Sequence, residues 1–309
     1  MRAICMANYR MSELKPVNQN QTMKITKTIA AFVSLLLVVL TVSAQQHYPV
    51  GAEGIKNASL PPPGIYLRDY NILYVANDFP DGPPGFDALA YINAPRLIWI
   101  TDKKFLGADY GMDLIVPFGY ADVSAAGDSD HRFGIADIQF EPLLLSWHQK
   151  QFDFAFGYAV WAPTGEFDAN RLANLGSGFW SHMLTAGATW HLDSEKTWAI
   201  GILNRYEFHH EQKDTDVTPG QTFTMEWAVS KTVCQGVDLG VVGYWQQQTT
   251  KASGAGASSE LASVAAVGPE INAVLPKLGV IASLRYLREF CANARPEGNT
   301  ISLTLTKRF

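Results

Sequence analysis

The sequence predicts an all-β chain, an antiparallel transmembrane up-and-down β-barrel of about 12 strands. Three observations carry this expectation. In the closing stretch, residues 300–309, Ile301, Leu303, Leu305, Lys307 and Phe309 alternate with Ser302, Thr304, Thr306 and Arg308, a period of two with one apolar and one polar face. The same alternation recurs along the chain. The connections between the alternating stretches are by turns long and short, as in barrels with surface loops on one side and tight turns on the other.

The first residues are set aside before strands are counted. Residues 1–22 carry no targeting pattern and are read as a non-native N-terminal extension. Residues 23–44 read as a secretory signal peptide: Met23 to Lys27 is a short basic start, Thr28 to Val42 an apolar run, and Val42-Ser43-Ala44 a small-residue cleavage signal. The apolar run is too short for a comfortable membrane helix. Residues 45–63, ending in Pro61-Pro62-Pro63-Gly64, are expected to be a periplasmic segment that delivers the chain to the first strand.

The barrel is then expected over residues 64–309. Strands are placed at 64–75, 87–99, 108–120, 133–146, 151–161, 179–190, 197–208, 221–232, 237–248, 260–272, 278–290 and 299–309. In the fifth, Phe152, Phe154, Phe156, Tyr158 and Val160 oppose Asp153, Ala155, Gly157 and Ala159. In the eighth, Phe223, Met225, Trp227 and Val229 oppose Thr224, Glu226, Ala228 and Ser230. The loops expected at the surface include 76–86, 121–132, 162–178, 209–220, 249–259 and 291–298; the turns between them are short. Trp99, Trp147, Trp161, Trp180, Trp190, Trp198 and Trp245 lie near strand ends, where an interfacial aromatic girdle belongs. A secreted β-sandwich also alternates, but it has no reason to alternate loop length or to collect tryptophans at strand ends.

Cleavage at Ala44 leaves 265 residues with 19 Lys and Arg against 28 Asp and Glu, a net charge of about minus nine. This argues against a nucleic-acid surface. Cys234 and Cys291 fall at opposite ends of the expected barrel and are read as free thiols, the alternative in an exported chain being a disulfide.

Alternation turns Arg96, Asp137, Glu141, Asp153, Arg205, Glu207, Glu226, Arg285 and Glu289 inward, as candidates to line the lumen. Two readings stand: a solvated ionic ladder along which a polar group passes, or a packed salt-bridge network that conducts nothing. Arg68 and Asp69 are adjacent and cannot both face the lumen unless there is a bulge or one lies beyond the lipid zone. Pro95, Pro117 and Pro142 each remove a ladder donor and mark a bulge, an opening or a strand end.

No catalytic residue, metal ligand or cofactor is expected. Ser181 and His182 are consecutive strand residues and face opposite sides. Asp128-Ser129-Asp130 and Asp214-Thr215-Asp216 lack the rest of a calcium loop. His209-His210-Glu211 reaches zinc only with help from elsewhere. The glycines match no phosphate-binding fingerprint in a strand-to-helix context.

Several segments resemble the family of outer-membrane proteins labelled for the meta-pathway of phenol degradation. They are Gly54-Ile55-Lys56 with Ala58-Ser59-Leu60-Pro61-Pro62-Pro63-Gly64, Trp99 with Thr101-Asp102, Gly107-Ala108-Asp109-Tyr110-Gly111, and Gly134 with Ala136-Asp137-Ile138 and Glu141-Pro142. Pro163-Thr164-Gly165-Glu166-Phe167, Gly268-Pro269-Glu270 and Arg295-Pro296-Glu297-Gly298 complete the likeness. The resemblance implies a surface barrel, and with the strand pattern the expectation is a monomer in the outer membrane of a Gram-negative bacterium, surrounded by lipids and lipopolysaccharide. It further implies passive uptake of a small organic solute, hydrophobic or aromatic. Phe309 is similar to the terminal aromatic that barrel-assembly machinery reads. The alternatives are a structural or adhesive barrel with a plugged lumen and an outer-membrane lipid-modifying hydrolase.

Overall fold

The computed structural model describes residues 46–309. The expected extension over 1–22 and signal peptide over 23–44 lie outside the described residues. Every regular element among the described residues is a strand. In order these are β1 (Gly64–Asp78), β2 (Asp87–Phe105), β3 (Ala108–Ile115), β4 (Phe118–Ala125), β5 (Asp128–Ile135), β6 (Ile138–His148), β7 (Phe152–Ala162) and β8 (Ser181–His191). They continue with β9 (Trp198–His209), β10 (Val217–Thr218), β11 (Thr222–Cys234), β12 (Val237–Gln248), β13 (Ser253–Gly254), β14 (Ser263–Leu275), β15 (Val280–Asn293) and β16 (Glu297–Arg308).

The short β10 and β13 pair only with each other and join two outer loops. The rest form one antiparallel sheet that closes on itself, because β1 pairs with β16 on one side and β2 on the other. Closure removes the free edges of the wall, which a membrane would not tolerate, except along β5, whose second edge has no ladder partner. Two staves of the wall are broken. β3 and β4 both pair with β2 on the same side, interrupted at Val116 and Pro117. β6 and β5 continue one another in the same way across Ala136 and Asp137. Counting each broken stave once, the barrel has twelve strands.

The breaks follow from proline chemistry. Pro117 cannot donate where β3 ends, and the Val116 amide bends to the Pro95 carbonyl at 3.2 Å instead. Pro142 lies within the register shift of the β6–β7 ladder between Phe140 and Leu143. Pro95 stays in register opposite Asp69 of β1.

Two expected loops are shorter than the sequence suggested. Most of 121–132 is ladder between β4 and β5, turned by Ala126 and Gly127 at φ 54° and 93°. β15 likewise runs on to Asn293. Outside the lipid both faces of a hairpin are wet, so alternation fades while backbone pairing continues. The long outer connections are those after β1, β7, β9 and β12.

The outward positions form a continuous apolar belt that includes Leu97, Phe154, Ile202, Val241, Leu284 and Ile301, all exposed. Trp99, Trp180, Trp190, Trp198 and Trp245 are exposed at strand ends, as a girdle requires. Trp161 is a correction: it is buried and faces inward, in phase with Ala159 and opposite to Val160. Cys234 and Cys291 are both free and exposed.

A second correction concerns residues 45–63. From residue 46 onward this segment is inside the barrel rather than beside it. Tyr48 and Ala52 pack with Ala159, Trp161 and Met183; Ile55 packs with Ala228, Val242, Tyr244 and Leu287; Ala58 packs with Ala155 and Leu203. A twelve-strand barrel is wider than the eight-strand barrels that wall side chains alone can fill, and the segment occupies the remaining interior. The inner wall makes room with small residues: a Cβ on Gly240 would come within 2.9 Å of the Ile55 side chain.

Candidate functional site

The filled lumen is where inward-facing charge collects. All nine lumen-lining candidates, Arg96, Asp137, Glu141, Asp153, Arg205, Glu207, Glu226, Arg285 and Glu289, are buried in the interior. All but Glu141 and Glu289 touch the N-terminal segment directly.

The segment enters at the loop end and descends to the turn end. His47 Nε2 meets Asp137 Oδ2 at 3.0 Å, and the Asp137 carboxylate also accepts the Gly165 and Ser177 amides at 2.9 and 2.6 Å. The amides of His47 and Tyr48 donate to Glu207 Oε1 at 3.1 and 3.2 Å. The Tyr48 hydroxyl donates to Glu226 at 2.8 Å, while its ring lies 3.9 Å from the Arg205 guanidinium, itself paired with Glu226.

Midway down, Glu53 accepts from Arg68 at 2.8 Å, from Arg96 at 3.2 Å and from the Tyr70 hydroxyl at 2.7 Å. Arg96 continues to Asp113 at 2.5 Å and to Glu141 at 3.0 Å. Beside it, Glu270 takes Arg285 Nε at 3.0 Å and the Ile55 amide at 3.1 Å, and Arg285 also donates to the Gly51 carbonyl. The approach is close enough that a Cβ on Gly54 would fall 1.7 Å from Glu270 Oε2. Near the turns, Ser59 donates to Asp153 at 2.6 Å, which also holds His148 and His191 at 3.0 Å. Glu289 stands apart, accepting from the Tyr74 and Tyr244 hydroxyls at 2.8 and 2.6 Å.

Glu53, Arg68, Asp113, Glu270, His47 and Tyr48 complete this set, and the inward list lacks them. Glu270 sits in the Gly268-Pro269-Glu270 motif and Asp113 in phase with Gly111, so both were open to alternation. His47, Tyr48 and Glu53 belong to a stretch without strand pattern, and nothing local marks them as interior. Arg68 and Asp69 need no bulge: β1 stays in register from Tyr66 to Ala76, Arg68 points inward to Glu53, and Asp69 points outward, where Asn71 and Asn93 donate to it at 3.0 and 2.9 Å.

One run has the order of a hydrolase relay: Asp137 at 3.0 Å from His47 Nε2, then Ser181 Oγ hydrogen-bonded to His47 Nδ1 at 2.8 Å. Ser181 is fully buried and its oxygen also engages His209 Nδ1 at 2.7 Å. Ser181 thus ties His47 of the N-terminal segment to His209 of β9 through a single hydroxyl. His182 faces away from this run, toward His210 at 3.1 Å.

A family model described as "Putative MetA-pathway of phenol degradation" matches residues 74–305. None of the curated proteins matches the chain. Among solved structures, the COG4313 outer membrane channel of Pseudomonas putida F1 is similar at 15% identity and TM-score 0.73, covering 85% of this chain and 100% of that one. The β domain of the Bordetella autotransporter BrkA is similar at 11% identity and TM-score 0.52, covering 81% and 100%. These likenesses are of fold. Together with a closed ladder, an apolar exterior belt and a polar interior they describe a barrel of the Gram-negative outer membrane.

Proposed function

Because the chain belongs to the phenol-degradation family matched over residues 74–305, we propose that it is an outer-membrane channel for passive uptake of small hydrophobic or aromatic, phenol-like compounds. The solute moves down its gradient, and the wall supplies a path without chemistry. A solved structure similar at TM-score 0.73 is described as an outer membrane channel, which supports the reading.

The observation that carries the reading is a break in the wall. The lumen axis is occupied by the N-terminal segment, whereas β5 pairs with β4 alone and its other edge has no ladder partner. Between that edge and the loop after β7 lies a crevice of ≈ 210 Å³ lined by Arg132, Phe133, Ile135, Thr164, Glu166 and Leu175. Phe133 is 76% exposed and Ile135 55%. The volume is below the about 300–1,000 Å³ of pockets for drug-sized ligands, a scale that suits a single-ring solute. The path we propose leaves sideways through this crevice into the lipid.

In the same reading the barrel is a monomer without catalytic residues or cofactor, inserted by barrel-assembly machinery and surrounded by lipids and lipopolysaccharide. The packed lumen favours one other reading, a structural barrel that conducts nothing. Uptake into proteoliposomes whose outer leaflet carries lipopolysaccharide separates the two. We expect phenols to enter faster than into protein-free vesicles and small sugars to enter no faster. A Gly134→Cys, Leu175→Cys pair puts thiols on facing sides of the crevice, since a Cβ at Gly134 lies 3.7 Å from Leu175 Cδ1. With Cys234 and Cys291 replaced by serine, bridging this pair with a short bis-methanethiosulfonate should stop phenol entry and reduction restore it. Absence of any phenol entry through folded barrels defeats the channel reading.

A further inference from the structure

The lumen contains one set of metal-ligating side chains that a channel does not need. His47, Glu207 and His209 each present a ligand atom, all within 4.8 Å of one another, at the loop end of the interior. Glu207 and His209 are two residues apart on β9, so the strand period sets both on the inner face. His47 comes from the N-terminal segment, 160 residues away in sequence.

The surroundings orient these groups. The Asp137 carboxylate lies 3.0 Å from His47 Nε2, while Nδ1 of the same ring faces Ser181 at 2.8 Å. A carboxylate behind a ligating imidazole is the usual second partner of a zinc-bound histidine. Ser181 Oγ bridges Nδ1 of His47 and Nδ1 of His209 at 2.8 and 2.7 Å, so a single oxygen stands between the two rings. Phe179 packs edge-on against both imidazoles, with centroids 4.7 and 5.2 Å away, and Trp161 stacks on His47 at 5.6 Å. The cluster is polar inside and walled by aromatics.

We propose that His47, Glu207 and His209 form a site for a zinc-class divalent ion that clasps the N-terminal segment to the barrel wall. Two imidazoles and one carboxylate are a donor set that zinc accepts, and a fourth position is left for water or the Ser181 hydroxyl. With metal–ligand bonds of about 2.0–2.1 Å, ligand atoms in a tetrahedral site lie closer together than 4.8 Å. Rotation of the rings out of their bonds to Ser181 supplies the contraction. Calcium and magnesium prefer all-oxygen shells and are poorly matched. The ion would cross-link elements otherwise joined by hydrogen bonds, at the end of the segment farthest from its attachment to β1.

The test uses the full mature barrel in detergent micelles, stripped with a chelator and titrated calorimetrically with zinc chloride. Cobalt(II) absorption reads the coordination geometry. The expected result is one tetrahedral ion per chain and a higher thermal unfolding midpoint. His47→Ala and His209→Ala should each weaken binding by 100-fold or more. Asp137→Asn should weaken it by about 10–100-fold. Ser181→Ala, which keeps all three ligands, should still bind. His210→Ala is the control, because His182 and His210 make an outward pair with Nε2 atoms 3.1 Å apart. Heat-modified gel migration confirms that each variant is a folded barrel. Loss of binding in His210→Ala but not in His47→Ala places the ion on the outer surface and overturns the proposal, as does failure of the folded native barrel to bind zinc.

Discussion

Buried charge in this barrel is neutralised residue by residue. A charge taken from water costs several kcal/mol unless it is paired and its remaining hydrogen-bonding positions are filled. Glu53 receives two guanidiniums and a phenol, and Arg96 is shared among three carboxylates. Asp69 is the exception on the lipid side: it lies opposite exposed Leu305 of β16, and two asparagine amides are its side-chain partners. Cationic side chains on the lipid face cost about 2–4 kcal/mol at mid-membrane and acidic ones less. Asp69→Asn, which keeps the shape and one acceptor oxygen, should therefore raise stability by about 1 kcal/mol in urea unfolding. A loss of stability would mean that the charge serves a partner. The inward phase of Arg96, Arg205, Glu226 and Arg285 was legible because period two needs only local sequence. Their partners in the segment were not, since pairing across 43 or more residues has no local signature.

Among the elements, the β4–β5 hairpin and the loop after β7 control access to the crevice. Asp130, near the hairpin tip and outside the lipid, is tied to Arg171 of that loop, with Nε at 2.9 Å from Oδ2. The hydrogen bonds from Arg171 hold the Asp130 carboxyl below the usual carboxylate range. Its folded pKa is lower than its unfolded value, so the tie contributes fully above the unfolded value and is lost as pH falls through the folded one. Because the pair is only half-buried and joins the hairpin to that loop, the effect belongs to the loop and not to global stability. Phenol uptake should rise as pH drops below the carboxylate range, and Arg171→Ala should give the raised rate already at neutral pH. An unchanged rate in Arg171→Ala would remove the loop from the path. The staves themselves were readable from alternation and turn residues. The hairpin was not, because Ala121 to Asp130 is small and polar on both faces, as an element outside lipid and core is free to be.

For the whole molecule, the N-terminal segment is the difference between a filled barrel and an open one. Its anchors are ionic and hydrogen-bonded at Glu53, Tyr48 and His47, and apolar at Ile55 and Ala58. Deleting residues 46–60 removes all of them and leaves the ladder, including the β1–β16 closure, intact. The truncated barrel should still fold, should unfold at lower temperature, and should admit sugars that the full chain excludes in a liposome swelling assay. Continued exclusion of sugars would show that the wall charges alone close the lumen. Membrane class, strand number, closure by the final strand and the inward charges are written in alternation and loop length, because they depend on neighbours two residues apart. The course of residues 46–63 through the lumen, the inward turn of Trp161, the meeting of His47 with Glu207 and His209, and the unpaired edge of β5 were decided only by the tertiary structure. Each depends on which distant groups share a cramped interior, where packing and charge pairing outweigh local preference.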